Sequence, residues 1–154
     1  MMKALTIKQP WLWCITDNSK RVENRTWKPP YYMIGKRIAL HASRKNQRAE
    51  WKAAWNLIDG GMPLLNLLPV GAIVATALIK AYVVVNDMGG VEEQTKAAAN
   101  YYPAADPWFF GPVGWLLTDV RKLSQPIPCK GALGLWEVPA DIAEIISQEW
   151  KDAP

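Results

Sequence analysis

Asn18-Ser19-Lys20-Arg21-Val22-Glu23-Asn24-Arg25-Thr26-Trp27 is the stretch on which the reading of this chain turns. Residues 21–27 have the look of a strand. Side chains alternate along a strand, so Glu23, Arg25 and Trp27 fall on one face. Lys20 stands at the turn entering it and can swing to the same side. A carboxylate then lies between two cations, and each cation favours its ionised form. Such a trio can hold a phosphate through Arg25 or Lys20. Glu23 can accept from an exocyclic base amine, and Trp27 can stack on the base. A plain ion-pair ladder on an exposed strand would use the same residues, and residue chemistry alone leaves the two readings level.

Upstream of this stretch, residues 3–8 alternate as a first strand does. Pro10 presets the backbone for a short helix over residues 10–15. The helix should end near Asp17-Asn18-Ser19, with Asn18 in a left-handed conformation. Gln9 and Trp11 stand just before the charged cluster. Gln9 is a candidate reader of a base edge. Trp11 is a candidate wall of the same cleft, although anchoring the helix in the core is its favoured role.

Downstream, residues 36–41 form a second alternating strand with Ile38 and Leu40 on one face. His41 is the only histidine. It falls opposite Ile38 and Leu40, where a hydrogen-bonded structural role is expected. Ser43 is placed to cap a helix running to about Ile58, ended by Gly60-Gly61. Trp51, Trp55 and Ile58 form one stripe of that helix and are expected in the core. Residues 70–85 suit one long or two shorter buried strands. Residues 86–112 form the longest irregular region, with a helical turn near residues 92–99. Tyr101, Tyr102, Trp108, Phe109 and Phe110 suit a lid that stacks on a ligand, or a plug for one barrel end. Residues 114–123 and 134–138 are the last strands. Asp141 and Glu144 resemble a capping box before a final amphipathic helix.

A chain of 154 residues suits one domain, spanning residues 1–154. Short strands around two or three helices, without regular β-α alternation, predict an α+β fold. The expected form is a small, closed or nearly closed β-barrel with the helices packed outside. Nine Trp against two Phe point to flat rings used for more than filling volume. Residues 1–52 carry twelve Lys and Arg against three acids, whereas residues 53–154 carry six against eleven. A basic half of this kind favours polyanionic partners. Cys14 and Cys129 form no C-x-x-C pair and cannot make a zinc site alone, so no metal and no cofactor are expected. Two buried thiols suit a reducing compartment. The first residues lack the apolar run of a signal peptide. The longest apolar stretch, residues 70–79, is about half a membrane span. A soluble, cytoplasmic protein is therefore expected. No P-loop, dinucleotide fingerprint, G-x-S-x-G or H-E-x-x-H occurs.

Lys20, Glu23 and Arg25 also match the K-x-x-E-x-R spacing of a known motif, whose opening glycine is replaced by Asn18. Leu5-Thr6-Ile7-Lys8-Gln9-Pro10-Trp11, Ile38-Ala39-Leu40-His41-Ala42-Ser43 and Pro126-Ile127-Pro128-Cys129-Lys130-Gly131 followed by Gly134-Leu135-Trp136 extend the match, in order. Across residues 4–138 the chain resembles the ASCH family of the PUA-like superfamily. The resemblance implies a PUA-like β-barrel, a cleft holding the motif residues, and a role with RNA or a nucleotide. Some relatives are amidohydrolases that deacetylate cytidine acetylated on its exocyclic amine, with Thr as nucleophile at the Glu23 position. The nearest hydroxyls here, Ser19 and Thr26, stand elsewhere. A variant mechanism would use Glu23 as general base on water and Lys20 as electrostatic stabiliser, the two catalytic residues if the protein is an enzyme. Three functions follow: an RNA- or nucleotide-binding module, a hydrolase of an amide or phosphodiester in such a ligand (an amidohydrolase or a ribonuclease), and a protein-interaction module. The basic first half and the motif favour the first two. The missing hydroxyl favours the first.

Overall fold

The computed structural model describes residues 1–45, 48–58 and 61–151. Seven strands form one mixed sheet: β1 (Lys3–Ile7), β2 (Val22–Arg25), β3 (Arg37–Ala42), β4 (Ala72–Val85), β5 (Val91–Gln94), β6 (Val113–Pro128) and β7 (Leu135–Glu137). Three helices accompany them: α1 (Trp11–Asp17), α2 (Arg48–Trp55) and α3 (Ala140–Lys151). The main path runs β2-β6-β4-β3-β1-β7, with β5 added to β4. Only the β1–β3 pair is parallel.

The length of β4 and β6 makes the sheet curl. Their ladder shifts register between Ile73 and Ala75, between Thr76 and Leu78, and between Ile79 and Ala81. Each extra residue bends its strand and increases the local twist. Asp119 takes φ +46° beside the second shift. The result is a half-barrel: the α+β class and the PUA-like architecture hold, with a sheet path that ends at β2 and β7 instead of closing.

Alternation along the strands then sorts the core. Leu5, Ile7, Ile38, Leu40, Ile79 and Trp115 fill the concave side with Leu12 and Ile15 of α1. Ala4, Ala39 and Ile73 point the other way and meet Val138, Ile146 and Ile142, so α3 covers the back of the sheet. Cys14, Val22, Ala81, Ala98 and Trp108 form a further cluster that carries Trp51. Both cysteines are buried and free. Among the described residues, no helix is long and apolar enough to cross a membrane.

Several local expectations are corrected. Asn18 is extended, at φ −133° and ψ −163°. The end of α1 is closed instead by Arg21, whose Nη1 donates to the carbonyls of Ile15, Asn18 and Lys20. Residues 70–85 give one strand, β4. The predicted helical turn near residues 92–99 is partly the edge strand β5, followed by a single 3-10 turn over Lys96–Ala98. The α2 helix is shorter than expected, and the Ser43 hydroxyl accepts from the Lys45 N–H in a local turn. Gly60 lies outside the described residues. Trp51 and Trp55 stack at 5.0 Å, but Trp55 is 47% exposed rather than buried in the core. Because α3 starts at Ala140, Asp141 sits inside its first turn rather than at the cap.

Candidate functional site

Three elements meet at the mouth of the half-barrel: the turn into β2, the start of α1, and the loop between β6 and β7. They enclose a cleft of about 460 Å³, a volume suited to a small ligand. Lys20, Glu23 and Arg25 line it together with Trp11.

Lys20 is drawn inward because its N–H bonds the Cys14 carbonyl at the end of α1. Its side chain is 1% exposed. The ammonium donates to the Val22 carbonyl and lies 3.5 Å from Glu23 Oε2. Burial pushes the Lys20 pKa down, and the Glu23 carboxylate opposes that shift. The other Glu23 oxygen, Oε1, lies 3.0 Å from Arg25 Nη2. Arg25 Nη2 also donates to the Thr6 carbonyl at 2.7 Å. No strand ladder joins β2 to β1, so this guanidinium ties the two strands together. The trio is a buried network rather than an exposed ladder.

Part of the wall is aromatic. Trp11 packs against the core and also lines the cleft, with its ring 5.5 Å from that of Phe110. Asn24 places Phe110. Its Oδ1 accepts from the N–H groups of Phe110 and Gly111, and its Nδ2 donates to the Trp108 carbonyl. The 86–112 region therefore reaches the cleft through Phe110.

Two expected ligand contacts lie elsewhere. Trp27 is not part of the cleft lining. β2 ends at Arg25, which pairs with Val113 at the very start of β6. Beyond that pair the ladder stops, and Trp27 turns onto Trp115 in an edge-on contact at 4.7 Å. Gln9 is buried and both ends of its amide are engaged: Nε2 donates to the Pro69 carbonyl and Oε1 accepts from the Trp13 N–H. It braces α1 instead of reading a ligand. His41 is structural, with Nε2 on the Cys129 carbonyl at 3.0 Å and Nδ1 3.3 Å from Thr6 Oγ1.

The cleft also gains residues that the sequence did not mark as site residues: Lys8, Ser43, Lys45 and the loop over Ala132, Leu133 and Gly134. Lys8 pairs with Glu50 at 3.0 Å. Ser19 does not line the cleft, and its hydroxyl accepts from the Trp108 indole. Among the described residues, no group of three or more His, Cys, Asp and Glu is placed to hold a metal ion.

The ASCH domain profile matches residues 5–127. The chain belongs to the ASCH domain family. The ASCH structure from Zymomonas mobilis superposes over 96% of this chain and 94% of its own, with a TM-score of 0.54 at 14% identity. At that identity the similarity shows the shared ASCH fold. No curated protein matches the chain. Lys20, Glu23 and Arg25, the residues of the K-x-x-E-x-R spacing, line the cleft together.

Proposed function

We propose that this ASCH protein binds RNA or a nucleotide, with one base held in the cleft between Trp11 and the Lys20–Glu23–Arg25 network. The observation that carries this reading is a half-buried indole, Trp11, and a buried carboxylate oriented by two cations, Glu23, lining one cavity of about 460 Å³. A flat ring stacks on any base. A carboxylate accepts from an exocyclic amine, as acidic side chains do from the amino group of cytosine. Glu23 is already aimed by two cations, so little ordering is needed on binding. The basic first half of the chain supplies long-range attraction for a polyanion. The experiment is a fluorescence titration with single-stranded RNA at low and physiological salt. Affinity should fall by about tenfold or more with salt if several phosphates are contacted, and Glu23→Gln or Trp11→Ala should weaken it. No affinity at low salt would reject the reading.

A second reading, hydrolysis of an acyl amide on a pyrimidine nucleoside, draws on one observation. The Lys20 ammonium, its pKa lowered by burial, stands beside the Glu23 carboxylate. Glu23 would take a proton from a water whose oxygen attacks the acyl carbon, Lys20 would stabilise the developing oxyanion, and Glu23 would return the proton to the exocyclic nitrogen as the C–N bond breaks, releasing the carboxylic acid and the free amine. Turnover of acetylated cytidine by the wild type, abolished in Glu23→Gln, supports it. Absence of wild-type turnover leaves the binding module.

A further inference from the structure

A second cavity of about 470 Å³ adjoins the cleft and shares Thr6, Ser43, Lys45, Ala132 and Leu133 with it. Its remaining wall brings Arg44 and Lys130 from chain segments far apart in sequence. The two cavities differ in charge. In the main cleft, Glu23 pairs with both Lys20 and Arg25 and Glu50 pairs with Lys8, so each lining cation but the shared Lys45 has a carboxylate beside it. The second cavity carries Arg44, Lys45 and Lys130 and no carboxylate. Among the described residues, none of these three makes a salt bridge.

Gly131 lines this cavity, and Gly71 lies against its Arg44 side chain. A Cβ at Gly131 would stand 2.4 Å from His41 Cε1, so only glycine lets the loop after β6 lie against that ring. A Cβ at Gly71, at φ +64°, would stand 2.6 Å from Arg44 Nε and 2.8 Å from its Cγ. The Arg44 side chain is thus laid along backbone, which limits the freedom lost when it binds an anion.

We propose that this second cavity is a phosphate subsite, so that the ligand of the protein is a nucleotide or an oligonucleotide rather than a free nucleoside. The inference rests on the reading of the main cleft as a base site. A phosphate beside Glu23 would face a carboxylate, and Arg25 is already engaged by Glu23 and the Thr6 carbonyl. A phosphate beside Arg44 and Lys130 meets cations that have no salt bridge among the described residues, and the fork of Arg44 suits two of its oxygens. The shared rim at Leu133, which is 98% exposed, is where the sugar of a ligand spanning both cavities would lie.

The test is calorimetric titration with the four ribonucleosides and their 5′- and 3′-monophosphates. At least one monophosphate should bind about tenfold or more tighter than its nucleoside, the factor one charge-assisted hydrogen bond supplies. The double variant Arg44→Ala/Lys130→Ala should remove that gain and leave nucleoside binding unchanged. Both side chains are exposed, so the variant should fold. Lys36→Ala, which removes an exposed cation outside both cavities, should keep the gain. Equal binding of nucleoside and monophosphate would overturn the subsite and spare the base cleft. Loss of the gain in Lys36→Ala to the same degree would reduce it to general surface charge and overturn it. Failure of every compound to bind would overturn the subsite and the base cleft together.

Discussion

Glu23 Oε1 lies 3.0 Å from Arg25 Nη2, and that nitrogen also donates to the Thr6 carbonyl at 2.7 Å. One guanidinium therefore orients the carboxylate of the cleft and ties β2 to β1, two strands with no ladder between them. Its Nε is buried without a hydrogen-bond partner, which offsets part of the gain.

Removing Arg25 should thus cost stability as well as ligand binding. Arg25→Ala leaves Glu23, itself 7% exposed, with Lys20 as its remaining cation. Breaking such a pair costs about 3 kcal/mol. Arg25→Lys should recover only part, because an ammonium lacks the planar fork. Urea unfolding of the three proteins measures this, and a loss under about 1 kcal/mol would show that the tie contributes little.

Asn24 lines the cleft, and it should matter to binding chiefly by placing Phe110. Asn24→Ala removes three hydrogen bonds that hold residues 108–111 against β2. Phe110 then loses its fixed distance from Trp11. RNA affinity should drop by a factor comparable to that of Phe110→Ala, and the double variant should be no weaker than either single one. Fully additive losses would contradict the positioning role.

His41 sets a pH dependence. Burial holds its pKa below the ordinary 6.5, and the hydrogen bond with the Cys129 carbonyl opposes the shift. As pH falls through 6.5 the unfolded chain takes up a proton while the folded chain does not yet. The unfolded state then binds more protons, so stability falls with pH in that window. Denaturation midpoints measured from about pH 7 to about pH 5 should fall more steeply for the wild type than for His41→Gln. Parallel profiles would contradict this.

The motif was legible because its geometry is local. Period-two alternation places Glu23 and Arg25 on one face, and a turn residue two positions before the strand can join them. What lay beyond reach was set by partners distant in the chain. Trp27 leaves the cleft because β6 begins at Val113 and offers β2 nothing beyond Arg25. Asn18 needs no left-handed turn because the Arg21 side chain takes the carbonyls at the end of α1. Gln9 carries the right chemistry to read a base, but the Pro69 carbonyl, sixty residues away, claims its amide. The barrel character was visible in the order of short strands. The sheet path ends at β2 and β7, and the three register shifts that curl it into a half-barrel are revealed by no periodicity.

The central claim is that a base stacks on Trp11 opposite Glu23. The most direct measurement is the indole N–H region of a nitrogen-15 correlation spectrum during titration with a short single-stranded RNA. Each of the nine Trp residues gives one indole signal. The account predicts that the Trp11 signal, assigned through Trp11→Phe, shifts with saturation, while that of Trp150, packed in the cluster on the back of the sheet, stays in place. Saturable shifts confined to other indoles, with Trp11 unmoved, would contradict it.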